Sequence, residues 1–336
     1  MSHTSIGRAL IAVQILLLAA PLLVAMLTSD NFIHDSLTQV LIGGVLALAW
    51  NILGGYARQI SIGHVAFFGI GAYTSTLLRI GFDLSPWLGM LAGGLLAALA
   101  GTLLGLITFR LRGPFFTMAT IAFAEVLRIL AVNLRGLTRG SEGLALDSTP
   151  DATMFVFGSL RTYVVVAWAM MVGVFLVSWL LGRSKMGLRL LAFREDETAA
   201  RSLGVSTYKL RLFAMGLSAF FTAVAGTLYA QYLLFIDPDS VFGVDTSLQM
   251  ALASVVGGIG SAIGPILGTY LIIPFGQVLR AQLGAQLAGL HLIVYGLGLI
   301  VVLWKMPDGV WPALERWLRR LVAGRTVDAS YKRVSV

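Results

Sequence analysis

The 336-residue chain contains no cysteine. That excludes a disulfide framework, a thiol nucleophile and any cysteine-based metal site. Charge is scarce too: 12% of the residues are Asp, Glu, Lys or Arg, where a soluble domain carries about 25%. The four histidines never fall at metal-ligand spacing, so neither a metal nor another cofactor is expected. No paired carboxylates and no nucleophile–base constellation emerge, and enzymatic chemistry is not indicated.

Apolar residues fill the chain instead. They make up 57% of it, and the mean hydropathy is +0.87. A membrane-spanning helix needs about 20 mostly apolar residues, so this length accommodates about ten spans with short loops. The expected fold is an all-α polytopic membrane protein, a single transmembrane domain over residues 1–336. Apolar runs place spans at 9–27, 37–56, 60–78, 87–109, 115–134, 161–181, 212–235, 247–263, 265–282 and 285–304. The first run is longer than a signal-peptide core and reads as a retained span. Gly257, Gly258, Gly260, Gly264 and Pro265 interrupt the eighth and ninth, which read as two spans or as one span with a re-entrant piece. The 38 glycines suit close helix packing in lipid.

The net charge of +8 is distributed as orienting charge, which argues against nucleic acid as its partner. With the N-terminus inside, 18 of the 24 Lys and Arg fall on one side. These are Arg8, Arg58, Arg110 and Arg112, seven within 183–211 and seven in the basic tail 305–336. Carboxylates such as Asp30, Glu142, Asp151 and Asp237 collect on the other side. The asymmetry predicts cytoplasmic N- and C-termini in a plasma (inner) membrane, with 183–211 as a cytoplasmic loop.

That loop is too long and too polar for a plain connector, which needs only a few residues. Gly187 to Phe193 reads as the cytoplasmic end of one helix. Arg194, Glu195, Asp196 and Glu197 then open a short helix, acids first, as the helix dipole favours. Thr198, Ala199 and Ala200 continue it, and Gly204 stands where such a helix closes. Lipid cannot anchor a short helix of this kind, so it must pack on its own chain or on a soluble partner.

Glu197-Thr198-Ala199-Ala200, with Gly204 four residues on, resembles the Glu-Ala-Ala-x-x-x-Gly loop of ABC-importer permeases, with Thr198 inserted between the acid and the alanines. The string Met186 to Ala230 is similar to LivM-type permeases of the branched-chain amino acid importer family. So are Trp50-Asn51-Ile52-Leu53-Gly54-Gly55-Tyr56, its continuation through His64 to Tyr73, and Val255 to Gly268. Arg58 departs from the pattern, standing where the resemblance implies a small residue such as glycine or alanine. Residues 140–147 match the family's glycine-rich outer loop poorly.

The resemblance implies a permease fold whose 183–211 loop forms a coupling helix. Arg194 to Glu197, Ala199, Ala200 and Gly204 would then contact an ATPase. It further implies a second, LivH-type permease, two cytoplasmic ATPases and an extracytoplasmic solute-binding protein. The cargo would be leucine, isoleucine, valine or a similar amino acid. Urea, short amides or another amino acid remain alternatives. An ion-coupled secondary transporter is the rival of a different class, and it would draft His64, Glu125 and Arg128 into a proton route.

Other candidate residues divide between pathway and packing. Gly257-Gly258-Ile259-Gly260-Ser261 lacks the Gly-Lys-Ser/Thr of a phosphate loop. Gly260, Gly264 and Gly268 repeat every fourth residue, which predicts one small-residue helical face. Gly63, Gly69, Gly71 and Tyr73 echo them loosely earlier in the chain, as interrupted pathway segments sometimes do. His64 reads as a histidine bonded to nearby backbone, with a proton relay as the alternative. Glu125 and Arg128 are costly in hydrocarbon. They read either as an i,i+3 ion pair or as groups at the pathway or a subunit interface.

Overall fold

The computed structural model describes residues 2–111, 113–283 and 289–331. Arg112, residues 285–288 of the tenth expected span and the last five residues of the basic tail lie outside the described residues. The first half runs through α1 (Ser2–Leu27), α2 (Asn31–Asn51), α3 (Val65–Phe82), α4 (Pro86–Thr108) and α5 (Pro114–Asn133). After α6 (Arg135–Thr138) an irregular stretch carries β1 (Leu144–Ala145), and α7 (Leu160–Arg183) returns through the bundle. Next come α8 (Lys185–Glu195), α9 (Glu197–Ser202) and α10 (Thr207–Leu233). Strand β2 (Phe235–Ile236) pairs antiparallel with β1, Leu144 opposite Ile236. The chain closes with α11 (Pro238–Phe242), α12 (Val244–Gly258), α13 (Gly264–Leu283), α14 (Leu290–Lys305) and α15 (Val310–Tyr331).

Among the described residues, nine spans are long and apolar enough to cross a membrane; α14 and α15, bent by 43°, make a tenth if counted as one. The composition-based expectation of about ten is met. Capping explains the boundaries. Asp30 accepts from the Phe32 amide at 2.9 Å and starts α2 six residues before the expected span. Pro86 and Pro114 open α4 and α5, where the missing N–H is harmless. The eighth span, expected to reach 263, stops at Gly258, because Gly258 and Gly260 take φ of +127° and +78°. Residues 310–331, in the segment expected to trail as a basic tail, are helical, and Trp311 is buried against Gly258.

α2 is the axis of the core. Leu41, Val45, Leu48 and Trp50 are all essentially inaccessible, a helix apolar and covered on every side, as expected within a larger bundle. α10 packs beside it against α3 and α4. A side chain at Gly71 would strike the Ala223 carbonyl, and one at Gly226 the Phe68 carbonyl, so α3 and α10 touch backbone to backbone. By contrast α4 presents Leu95, Leu99, Leu103 and Ile107 outward, an apolar face suited to lipid or another membrane chain.

Candidate coupling site

Ser184 adopts an extended conformation (φ −75°, ψ 160°) and breaks the chain between α7 and α8, its hydroxyl accepting from the Gly187 amide at 3.0 Å. Gly187 to Phe193, expected as the cytoplasmic end of one helix, lie in a helix of their own, α8, separate from the span α7. Arg194 and Glu195 belong to α8, and do not open the short helix as expected. Asp196 is the hinge between the two. Its carboxylate accepts from the Thr198 and Ala199 amides at 2.8 and 3.0 Å, satisfying two of the free N–H groups of α9. At the other end Gly204, φ +78°, closes α9 in a Schellman motif. The Gly204 amide donates to Arg201 at 2.9 Å and the Val205 amide to Ala200 at 3.1 Å.

Three contacts seat this element on the bundle. Glu197 accepts from Arg211 on α10 at 2.6 Å and from Arg201 at 2.5 Å. The Arg211 guanidinium lies over the Phe193 ring, 4.6 Å from its centroid. The Arg58 guanidinium donates to the Arg194 carbonyl at 3.0 Å. Arg58 itself has φ +49°, a left-handed conformation that glycine adopts more readily, which accounts for the small residue expected there.

The two faces of α9 differ. Ala200 is buried at 3% exposure, whereas Leu203 is 82% exposed. Ala199, Asp196 and Glu195 are exposed as well. Leu203 is not among the expected contact residues, although a large apolar side chain just before a closing glycine marks it in the sequence. Beside α9 lies a cavity of about 540 Å³ lined by Arg110, Glu197, Thr198, Arg201 and Arg211.

From α8 the contacts lead inward. A side chain at Gly260 would overlap the Arg194 guanidinium. The Gly260 amide donates to Asn51 Oδ1 at 2.8 Å, and Asn51 Nδ2 donates to the Ser261 carbonyl at 2.9 Å. Asn51 thus clamps the turn between α12 and α13 to the end of α2. After it the chain makes a wide helical turn, Ile52–Tyr56, then runs irregularly to His64. The backbone there is served by side chains: Trp50 Nε1 donates to the Ser61 carbonyl at 2.7 Å and Thr117 to Ile60 at 2.7 Å. Non-helical backbone leaves N–H and C=O groups that such partners satisfy.

His64 is fully buried, and its Nε2 lies 2.8 Å from Ser218 Oγ. Ser218 has one hydroxyl proton, donated to the Ala49 carbonyl at 2.6 Å, so Nε2 is the protonated nitrogen and the hydroxyl accepts from it. The expected backbone partner is thus reached through a serine. Ser218 lies eleven residues into α10, so His64 sits about 16 Å along the bundle at ~1.5 Å per residue.

Glu125 and Arg128 form a two-pronged ion pair at 2.6 and 3.0 Å, and Arg128 also reaches Asp239 on α11 at 2.8 Å. Among the described residues no direct hydrogen bond links this cluster to His64. The glycines divide by role. Gly63 abuts the Thr120 carbonyl and Gly69 the Phe242 ring; Gly264 and Gly268 meet α12 at Gly257, Gly258 and Ala253. Gly260 lies in the turn outside either helix, so the expected three-glycine face is reduced to Gly264 and Gly268.

At the end of the bundle away from α9, residues 134–159 form a polar platform. The Thr149 hydroxyl and amide hold the Asp147 carboxyl below its ordinary range. Arg79, buried in α3, donates to the Asp147 carbonyl at 2.9 Å and to Gln231 at 2.7 Å.

Comparison with known proteins agrees over most of the chain. Residues 32–303 match the family described as branched-chain amino acid transport system / permease component. The high-affinity branched-chain amino acid transport system permease protein LivM of Escherichia coli (strain K12) is 31% identical, over 92% of this chain and 76% of that protein. LivM of Salmonella typhimurium is 30% identical, over 85% and 71%. The autoinducer 2 import system permease protein LsrC of Yersinia pestis (strain Pestoides F) is 29% identical, over 66% and 62%.

Proposed function

Because the chain belongs to the branched-chain amino acid transport permease family, as a LivM-type member, we propose that it is the membrane-spanning subunit of an ATP-driven importer for leucine, isoleucine, valine or close analogues. In this reading it pairs with a second, LivH-type permease. Two ATPases dock at the α8–α9 end, which faces the cytoplasm, and a solute-binding protein docks on the 134–159 platform. The chain itself hydrolyses nothing.

One observation carries the reading: α9 is capped at both ends by its own chain, seated through Glu197 on Arg211, and still presents Leu203 and Ala199 outward. A helix so fixed on one face and bare on the other suits a rigid partner's groove. The arginine-lined cavity beside it suits acidic side chains of that partner. Closure of the ATPases would then shift α8 and α9 together. Motion passes to α10 through Glu197–Arg211, and to α2 and the α12–α13 turn through Arg194, Gly260 and Asn51. The bias comes from ATP and ADP states of the ATPase contacting α9 differently.

The test is reconstitution of the chain with its candidate partner subunits in liposomes. Uptake of labelled leucine that requires both ATP on the α9 side and the binding protein on the other supports the reading. Uptake by this chain alone, driven by an ion gradient, would overturn it.

A further inference from the structure

A cleft runs between α2, α12 and α13 in the half of the bundle away from α9. Cavities of about 370 and 240 Å³ share Gln39, Gln249 and Ile273, and a smaller one of about 30 Å³ adjoins both. The larger falls within the ~300–1,000 Å³ span of small-molecule sites. Its walls are apolar at Ile42, Leu46 and Ile273, and polar at Thr246, Gln249 and a hydrogen-bonded row that includes Gln39 and Tyr232.

That row joins three helices. Ser36 donates to Gln277 Oε1, and Gln277 Nε2 donates to Gln39 Oε1 at 3.0 Å. Gln39 Nε2 donates to Asp35 Oδ2 at 3.0 Å, and the Tyr232 hydroxyl donates to Asp35 Oδ1. α2 and α13 run antiparallel across it. Asp35 precedes Gln39 by one turn and Arg280 follows Gln277 by nearly one, so both charges stand on the same side of the Gln39–Gln277 bond. Arg280 lines the cleft, and Asp35 is bonded to two of its lining residues.

Neither charge has an ion-pair partner among the described residues. Arg280 is exposed, with no hydrogen-bond acceptor among them. The Asp35 carboxylate uses two of its roughly four acceptor positions. An acid and a base at one level on facing helices, held apart by an amide bridge, offer complementary ends to a molecule carrying both charges.

We propose that this cleft recognises the zwitterionic head of a neutral α-amino acid, Arg280 taking the carboxylate and Asp35 with Gln39 the ammonium. This rests on the permease reading above and identifies the wall along which the cargo travels. The side chain of the amino acid lies toward Ile42, Leu46 and Ile273, where no charged group lines the cavity. An aliphatic side chain fits there, and a charged one is penalised by desolvation.

Absence of cysteine from the chain makes the test direct. Gln249→Cys is introduced into the complete complex in liposomes, and its modification by a small cationic methanethiosulfonate reagent is timed with and without leucine during ATP turnover. Modification that leucine slows is the expected result. Arg280→Gln and Asp35→Asn should each lower leucine uptake about tenfold, the loss of a charge-assisted hydrogen bond, and abolish the protection. Arg280→Lys should restore both in part, which a purely structural role for the guanidinium would not give. The proposal is overturned if the introduced cysteine is unreactive or unprotected. It is equally overturned if both neutral variants take up leucine within about twofold of the parent, as surface substitutions do. Failure of the parent complex to take up leucine at all would count instead against the permease reading.

Discussion

Glu197 and Arg211 meet at 2.6 Å across the junction of α9 and α10, and Glu197 also holds Arg201. One carboxylate therefore ties the short exposed helix both to itself and to a long buried one. The Arg211 side chain is only 10% exposed, so the ion pair offsets part of the cost of burying its charge.

Glu197→Gln should loosen α9 without unfolding the bundle. Uptake by the reconstituted complex is expected to fall while ATP hydrolysis continues, since the contact transmits motion and does no chemistry. Swapping the pair, Glu197→Arg with Arg211→Glu, should recover part of the uptake. Coupled uptake equal to the parent in Glu197→Gln would remove the pair from the transmission route.

The exposed face of α9 is better probed at Leu203 than at Ala200. Ala200→Trp would overfill a buried position in the chain's own packing, at a cost of about 1–3 kcal/mol. Leu203→Ser touches nothing internal and should change thermal stability by no more than about 0.5 kcal/mol. Copurification of the ATPases should nevertheless weaken. Undiminished recovery of the ATPases with Leu203→Ser would show that the docking face lies elsewhere.

Asn51→Ala removes both halves of the clamp on Gly260 and Ser261. The Gly260 donor and Ser261 acceptor left unmet are partly buried, so the cost stays below the about 1–3 kcal/mol of a fully buried group, and thermal unfolding in detergent should shift down measurably. Hydrogen exchange at 258–264 should rise with it. Protection unaltered in that segment would mean that the turn holds itself.

Gly71 and Gly81 share α3 but not its packing. Gly71→Leu drives a side chain into the Ala223 carbonyl and should abolish stable expression, whereas nothing lies within 4 Å of a side chain begun at Gly81. Gly81→Ala is expected to be neutral or to stabilise by up to about 1 kcal/mol through helix propensity. Size-exclusion profiles of the two variants check both expectations.

The helical class and the approximate number of spans were legible because lipid demands long apolar runs with internally bonded backbone. The short helix before Gly204 was legible for a local reason: an acid, helix formers and a glycine follow one another in cap order. The separate start of α8 was not, since Ser184 breaks the helix only through its φ/ψ and its bond to Gly187. Nor was Asp239 legible as third member of the Glu125–Arg128 cluster, because its partner is 111 residues away in sequence.

By itself, then, the sequence determined what must lie in lipid and where a polar element must leave it, since hydropathy and capping act over one or two turns. Only the tertiary structure decided which polar groups meet. Asn51 with the Gly260 turn, His64 with Ser218, and Asp35 with Gln39, Gln277 and Tyr232 are brought together by helices crossing. No local pattern encodes such pairs, because their partners are chosen by packing between distant segments of the chain.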